Sequence, residues 1–419
     1  MQKLTTDRDA VLRVMERTLA MLERRPAAHA TEAALAPNTA RDKALADRFR
    51  EALAWTREAE PHEMMVTGEE RELEPGADYI SHHPLVAQVQ AAMESFADAR
   101  GGAEPIEADE VPVELVAEHA ALRLEGRPPF PTHKSLDDLR FKLQSKATVV
   151  LVGDFGTAKP RAIRVAQAIR AVAPDHVIHL GDIYPSGTPE LARRHFIDVW
   201  RQHGPDPART KYWALNGNHE MAAQGTGYFA DVLAFCGQRA SYFSLQNAHW
   251  KLIGLDSAYL NHDLQPEQKP WLHARLEEGE SRNILLTHHQ MFSAVDGRVQ
   301  QNQAGLPTTM QEFVQTGRIF GWYWGHEHRF LSYAPEPAFG GYLARAVGHG
   351  GKSVDYVSGV KEYPSPRVIH YWEVPRPERP SKCLNGFALL RFDGPTLEIS
   401  YPDETGFEWH PEVWPNHPH

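Results

Sequence analysis

The sequence predicts an α/β fold behind a helical N-terminal extension, on three observations. Short apolar, β-branched or aromatic runs recur from about residue 146, at 148–152, 177–180, 212–215, 250–255, 283–286 and 320–324. Helical stretches separate some of them, at 161–173 and 190–202. Residues 1–140 instead place apolar side chains at three- and four-residue steps in a charged background. Strands that are apolar on both faces belong to a covered sheet, because a strand with one wet face alternates.

Taken in order, Val11, Leu12, Met15, Leu19 and Leu22 mark a first amphipathic helix. Ala44, Leu45, Phe49, Leu53 and Trp55 mark a second. A third starts at Ser81 or Pro84, carries Leu85, Val89, Met93 and Phe96, and ends at Gly101-Gly102. The Pro- and Glu-rich segment 69–76 reads as a connector, and 126–131, with Pro128, Pro129 and Pro131, as a linker or turn cluster. After about residue 350 helices fade, and 368–373, 387–392 and 397–401 read as strands of a second sheet. The expected organisation is a helical region of unknown role over 1–140 and a catalytic domain over 146–419 that includes those late strands. There is no internal repeat.

Composition narrows the function. The 419 residues are 42% hydrophobic and 24% charged, an ordinary globular balance. The net charge of −11 argues against nucleic acid as a partner, since such binding rests on neutralising phosphates. Two cysteines, Cys236 and Cys383, cannot form a disulfide scaffold and suit a reducing compartment. The first residues lack a secretory pattern, and no apolar run reaches the roughly 20 residues of a membrane span. The expectation is a cytoplasmic protein with no membrane span and a small-molecule substrate; composition does not fix the oligomeric state.

Chemistry concentrates where the strands end. The runs are followed in turn by Gly153-Asp154-Phe155-Gly156, Gly181-Asp182-Ile183-Tyr184, Asn216-Gly217-Asn218-His219-Glu220, Thr287-His288-His289-Gln290 and Gly325-His326-Glu327-His328. Ligands bind beyond the carboxyl ends of strands in such sheets, so five polar clusters there converge on one crevice. Two Asp, an Asn and three or four of the 23 His form a mixed oxygen and nitrogen donor set without thiolate, suited to Mn, Fe, Zn or Co. Six or more donors exceed what one tetrahedral zinc takes and suit two ions sharing a carboxylate, which clamp both oxygens of an in-line phosphoryl displacement. The glycine before each ligand is read as the point where the backbone turns.

The ordered blocks GDFG, GDIY, GNHE, THH and GHEH resemble the calcineurin-like metallophosphoesterase superfamily over about residues 146–352. Asp-x-Gly in the first block is similar to the purple acid phosphatase branch. The resemblance implies a β-sandwich flanked by helices, four layers α/β/β/α, and a dinuclear centre of Fe, Mn or Zn that hydrolyses a phosphate ester by attack of a metal-bound hydroxide. It implies Asp154 on the first metal, Asp182 bridging, Asn218 and His288 on the second, His326 on the second and His328 on the first. His219 matches the catalytic histidine that contacts phosphate and assists the leaving group. In purple acid phosphatases a tyrosine three residues after the bridging Asp binds ferric iron; here that position is Pro185, and Tyr184 stands one residue earlier as a candidate ligand.

Other histidines are weighed against plain packing. His326 and His328 alternate and so face one side, whereas adjacent His288 and His289 face opposite ways. His289, and His349 in a glycine-rich loop, are therefore candidates to touch substrate or support the ligands. Glu220 reads as structural or supporting, and His82, His83 and His133 as surface or core residues. Trp213, Trp322, Tyr323 and Trp324 read as core. A phosphomonoesterase is slightly favoured. A phosphodiesterase acting on cyclic nucleotides or phospholipid headgroups is the alternative, and a non-catalytic scaffold a third reading. The extra charge of a monoester asks for further cations, for which Arg161, Arg298, Arg329 and Lys352 are candidates.

Overall fold

The computed structural model describes residues 8–24, 32–58, 81, 83–99, 108–124, 126–293, 305–335, 337, 340–352, 354, 356, 367–372 and 374–415. The expected features at His82, 69–76, Gly101-Gly102 and Arg298 lie outside them. Helices α1 (Arg8–Arg24), α2 (Glu32–Glu58), α3 (Pro84–Ala99) and α4 (Val113–Ala121) form an N-terminal bundle. Their apolar stripes meet in one cluster that buries Val11, Met15, Leu45, Phe49, Leu85, Val89 and Val116, as the three- and four-residue steps dictate.

The rest of the chain runs β1 (Arg140–Lys142), β2 (Lys146–Val152), α5 (Pro160–Val172), β3 (His176–His179), α6 (Pro189–Leu191), α7 (Asp198–His203), β4 (Lys211–Ala214), α8 (Asn218–Met221), α9 (Leu233–Cys236), β5 (Phe243–Gln246), β6 (Trp250–Gly254), α10 (Gln268–Glu277), β7 (Arg282–Thr287), α11 (Leu306–Val314) and β8 (Ile319–Trp324). It continues through β9 (Phe330–Tyr333), β10 (Leu343–Val347), β11 (Val368–Tyr371), β12 (Pro375–Arg376), β13 (Arg379–Cys383), β14 (Ala388–Asp393), β15 (Thr396–Pro402) and β16 (Glu408–Trp414). One sheet has the order β16-β15-β14-β2-β3-β4, the other β1-β5-β6-β7-β8-β10-β9-β11, and β12-β13 is a separate hairpin.

Strand alternation builds the layers. Val149 and Leu151 of β2 share a buried cluster with Leu252 of β6 and Leu286 of β7, which is the space between the two sheets. Val150 and Val152 turn the other way, into a cluster with Val165 and Ile169 of α5. Ile253 and Leu285 turn outward from the second sheet onto Trp271 and Leu272 of α10 and Met310 of α11. The result is the four-layer α/β/β/α sandwich that the resemblance implies, with a helical N-terminal region. Among the described residues no helix is long and apolar enough to cross a membrane.

The late strands do not form a second sheet of their own. β14 pairs antiparallel with β2, Leu390 opposite Val149, so β14 and β15 extend the first sheet, while β11 edges the other. Alternation identifies strands; it does not name partners some 240 positions away in sequence, as the register of Leu390 on Val149 requires. The 126–131 linker is packed: Phe130 stacks on Tyr242 at 5.7 Å, and Tyr259 donates to the Pro128 carbonyl at 2.8 Å. The bundle also touches the sandwich beside its strand ends, where Gln88 of α3 donates to the carbonyl of Ala222, the residue that closes α8, at 2.9 Å.

Candidate metal centre

The loops after β2, β3 and β4 of one sheet and after β7 and β8 of the other meet at one place. Two of them are tied edge to edge. The Gly156 amide donates to the Asp182 carbonyl at 3.2 Å, and the Tyr184 amide to the Gly156 carbonyl at 2.8 Å. A Cβ on Gly156 would lie 2.7 Å from Ile183 Cα, so this close pairing requires glycine there. The glycines before the ligands act in the same way. A Cβ on Gly325 would sit 2.8 Å from Asp154 Oδ2, and one on Gly181 2.6 Å from His288 Nδ1. The left-handed turn falls mainly on the candidate ligands themselves, at Asp154 (φ 56°), Asp182 (φ 77°), His326 (φ 67°) and His328 (φ 50°). The expectation that the preceding glycine makes the turn holds only at Gly181 (φ 102°). Such conformations cost about 1–3 kcal/mol each in a non-glycine residue.

The side chains fall into two adjoining groups. In the first, the Tyr184 hydroxyl lies 2.7 Å from Asp154 Oδ1, 3.1 Å from Asp182 Oδ2 and 2.8 Å from His328 Nε2. The backbone pairing of Gly156 with Ile183 explains how a tyrosine one place early still reaches this position. In the second group, Asn218 Oδ1 lies 2.8 Å from His288 Nε2 and 3.0 Å from His326 Nδ1, and His288 Nε2 is 3.3 Å from Asp182 Oδ1. Asp182 stands between the groups, one oxygen towards each. Backbone carbonyls orient the rings: Leu180 accepts from His288 Nδ1 at 2.9 Å, and Pro185 from His219 Nδ1 at 2.6 Å. Each ring thereby presents Nε2 to the centre. His219 packs its ring 4.4 Å from that of Tyr184, and its Nε2 is 3.9 Å from Asp182 Oδ2.

The electrostatics of this arrangement suit cations. Asp154 and Asp182 are fully buried, and among the described residues their partners are Tyr184, backbone amides and histidines. Burial, reinforced by Asp182, pushes the Asp154 carboxyl well above the usual range. Burial acts the same way on Asp182, but His288, His219 and His326 outweigh it and hold that carboxyl low. Burial and both carboxylates raise the Tyr184 phenol. Two buried carboxylates side by side are costly without a counter-charge. Dications held by these residues would supply it. The donor set therefore fits metal ions; its geometry fixes neither their identity nor their number.

The other expected residues divide. Glu220 is buried beside the centre and accepts from the Asp182 amide at 3.2 Å; burial and Asp182 raise its carboxyl. Lys352 is drawn in, its amide donating to the Asp154 carbonyl at 2.9 Å and its ammonium 5.8 Å over the Tyr184 ring. Arg161 bonds the Gly351 carbonyl at 2.6 Å. His349 is not brought to the metal groups: its ring packs on Trp372 at 4.9 Å and Phe330 at 5.8 Å, and burial lowers its pKa to about 3. His83 packs by Trp55 and His133 by Tyr242, both outside the centre. His289 does face the centre, its ring 4.8 Å from that of His326 and 3.7 Å from that of His262. Sequence reasoning missed His262. The signal was there in weak form: the run 250–255 also ends in a polar pair, Asp256-Ser257, five residues before His262.

Residues 147–330 match the calcineurin-like phosphoesterase family. One curated relative, a probable cyclic nucleotide phosphodiesterase of Synechococcus sp. (strain ATCC 27144 / PCC 6301 / SAUG 1402/1), is 29% identical over 133 residues, 31% of this chain. The chain spans about half (48%) of the length of that relative. Among solved structures, the GAP50 anchor of the Plasmodium inner membrane complex aligns with 64% of this chain and 88% of its own, at 11% identity and a TM-score of 0.47. A predicted phosphoesterase from Streptococcus pneumoniae aligns with 65% and 99%, at 12% identity and a TM-score of 0.30. At these scores the two structures carry no functional meaning for this chain.

Proposed function

We propose that the chain is a metal-dependent phosphoesterase with a dinuclear centre of Fe, Mn or Zn. The observation that carries this reading is the meeting of Asp154, Asp182, Tyr184 and His328 with Asn218, His288 and His326 around one shared carboxylate. Asp154, Tyr184 and His328 would hold one ion, Asn218, His288 and His326 the other, and Asp182 both. Ions held there would supply a nucleophile near neutral pH by lowering the pKa of water, and would polarise the phosphoryl oxygens.

The chain's own residues do the rest. His219, its tautomer fixed by the Pro185 carbonyl, presents Nε2 to the reacting group. Burial lowers the pKa of this imidazole, so it rests neutral. An arriving phosphate anion favours its protonated form, which places a proton at Nε2 for the leaving oxygen. Lys352, whose charge bears on His219, adds a cation for the second negative charge of a monoester. This favours a phosphomonoester similar to the substrates of the purple acid phosphatase branch. The phosphodiesterase reading stands second, favoured by the name of the Synechococcus relative.

The test is parallel turnover of p-nitrophenyl phosphate and bis-p-nitrophenyl phosphate by metal-reconstituted protein. Preference for the monoester, lost in Lys352→Met, supports the first reading; preference for the diester supports the second. Bound metal with no turnover on either ester or on a panel of natural phosphate esters would leave the scaffold reading.

A further inference from the structure

A third group of potential ligands adjoins the two already described. The ligand nitrogens of His262, His289 and His326 all lie within 4.8 Å of one another. Three features show that this group is built. His289 is fully buried; Ser257 Oγ lies 3.1 Å from its Nδ1 and its own amide donates to the same hydroxyl, so the ring is held from behind. Its Nε2 has no hydrogen-bond partner among the described residues, an expensive state for a buried polar atom. His262 approaches from the loop after β6, with its carbonyl fixed by the Leu306 amide at 2.6 Å where α11 begins. It also shares the backbone mark of the metal-ligand candidates. Asn261 (φ 53°) and His262 (φ 68°) are left-handed non-glycine residues, like Asp154, Asp182, His326 and His328.

We propose that His262, His289 and His326 form a third cation site beside the dinuclear centre, selective for zinc-like ions. Imidazole-only ligands suit Zn, Cu, Ni or Co and disfavour Mg and Ca. A tetrahedral zinc bonds nitrogen at about 2.0–2.1 Å and draws its ligands closer than 4.8 Å. His262 is exposed on one side and lies against the His289 ring at 3.7 Å, so it is the member of the group with room to shift and close that gap. An imidazole has two ring nitrogens. With Nδ1 beside Asn218 and His288, Nε2 is the atom His326 would offer the third ion, its ring giving up the remaining N–H proton to solvent so that the imidazolate serves both sides. His262 and His289 stay neutral and the imidazolate carries a single negative charge, so a dication there would still add positive charge towards solvent, where an anionic ester arrives. This rests on the dinuclear centre proposed above and goes beyond it, without requiring that the centre hydrolyse an ester.

The test is zinc stoichiometry by elemental analysis of the full chain, stripped of metal, reloaded with zinc and desalted, together with the visible spectrum after cobalt loading. Wild type is expected to hold three zinc ions per chain and His262→Gln two. The tetrahedral cobalt absorption assigned to the third ion is lost in the variant. Ser257→Ala, which frees the His289 ring, is expected to weaken the third ion about tenfold or more and spare the other two. Two ions per chain in wild type, or loss of every ion in His262→Gln while circular dichroism stays native, would overturn the proposal. A protein that holds three ions yet turns over no ester would sink the phosphoesterase reading alone.

Discussion

In the N-terminal bundle, Phe49 is wholly buried in a cluster with Val11, Leu53 and Val89; at the strand ends, Asp154 and Asp182 are equally buried among tyrosine, histidine and backbone amides. The bundle removes apolar surface from water and needs nothing further. The strand ends hold two carboxylates together, and four of their ligand candidates sit on left-handed backbone. Burial alone therefore says little about stability. In one region it drives folding, and in the other it is a burden that packing elsewhere must offset until a cation arrives.

The sharpest separation is expected from Asp182→Ala. Turnover should fall on the order of a thousandfold or more, with loss of tight metal binding, because both groups lose their shared ligand. Measured in a chelator, the melting temperature should match or exceed that of wild type, since Asp154 loses its like-charged neighbour. A metal-free variant that unfolds more readily would erase the contrast. Phe49→Ala should do the reverse, costing about 3–5 kcal/mol in denaturant unfolding while metal per folded chain stays constant.

A third test uses pH. Burial lowers the imidazoles of His179 and His349 to about 3, so both are neutral when folded and titrate near their ordinary value when unfolded. Between those values the unfolded chain holds more protons, so stability falls as pH drops below about 6.5. Each contributes about 2 kcal/mol between pH 6.5 and 5. Thermal melts of His349→Phe, which keeps an aromatic ring beside Trp372 and Phe330, should show a shallower acid slope than wild type. An unchanged slope would place the titration elsewhere. The smallest effect is expected at the seam between the regions. Gln88→Ala leaves the Ala222 carbonyl without its side-chain partner and should cost about 1 kcal/mol. Because α8 carries Asn218 and His219, turnover should drop by up to about fivefold. Equal rates would make the bundle a passive neighbour.

Much of this was legible in the sequence because apolar runs such as 148–152 and 283–286 are covered on both faces and leave no ambiguity of period. Their polar ends then named Asp154, Asp182, Asn218 and His288, since strand ends in such folds point at the ligand. Shorter or more polar elements gave no such signal: β1 has three residues, and β5 follows the turn around Gly237 with little to mark it. The sheet to which β14 belongs was hidden because a strand's alternation is silent about its partner. Tyr184 could not be settled by counting from Asp182, since its reach depends on the pairing of Gly156 with Ile183. His262 lies too far past its strand for the strand-end rule, and the packing of the His349 ring on Trp372 and Phe330 is not encoded in its position after β10. Spacing along a chain constrains where a backbone goes and leaves ring orientation to three-dimensional packing.

The pairing of β2 with β14 also sets a schedule. The strand that delivers Asp154 is flanked by β3 on one side and, on the other, by a strand that leaves the ribosome some 240 residues later, given the register of Val149 on Leu390. Until then β2 presents an open, largely apolar edge, the kind of edge that recruits other strands. The bundle precedes this strand in synthesis, while the sandwich waits for its late hairpin. A nascent chain of this kind is at greatest risk after its first sheet has begun and before β14 emerges, and chaperone dependence should peak in that interval.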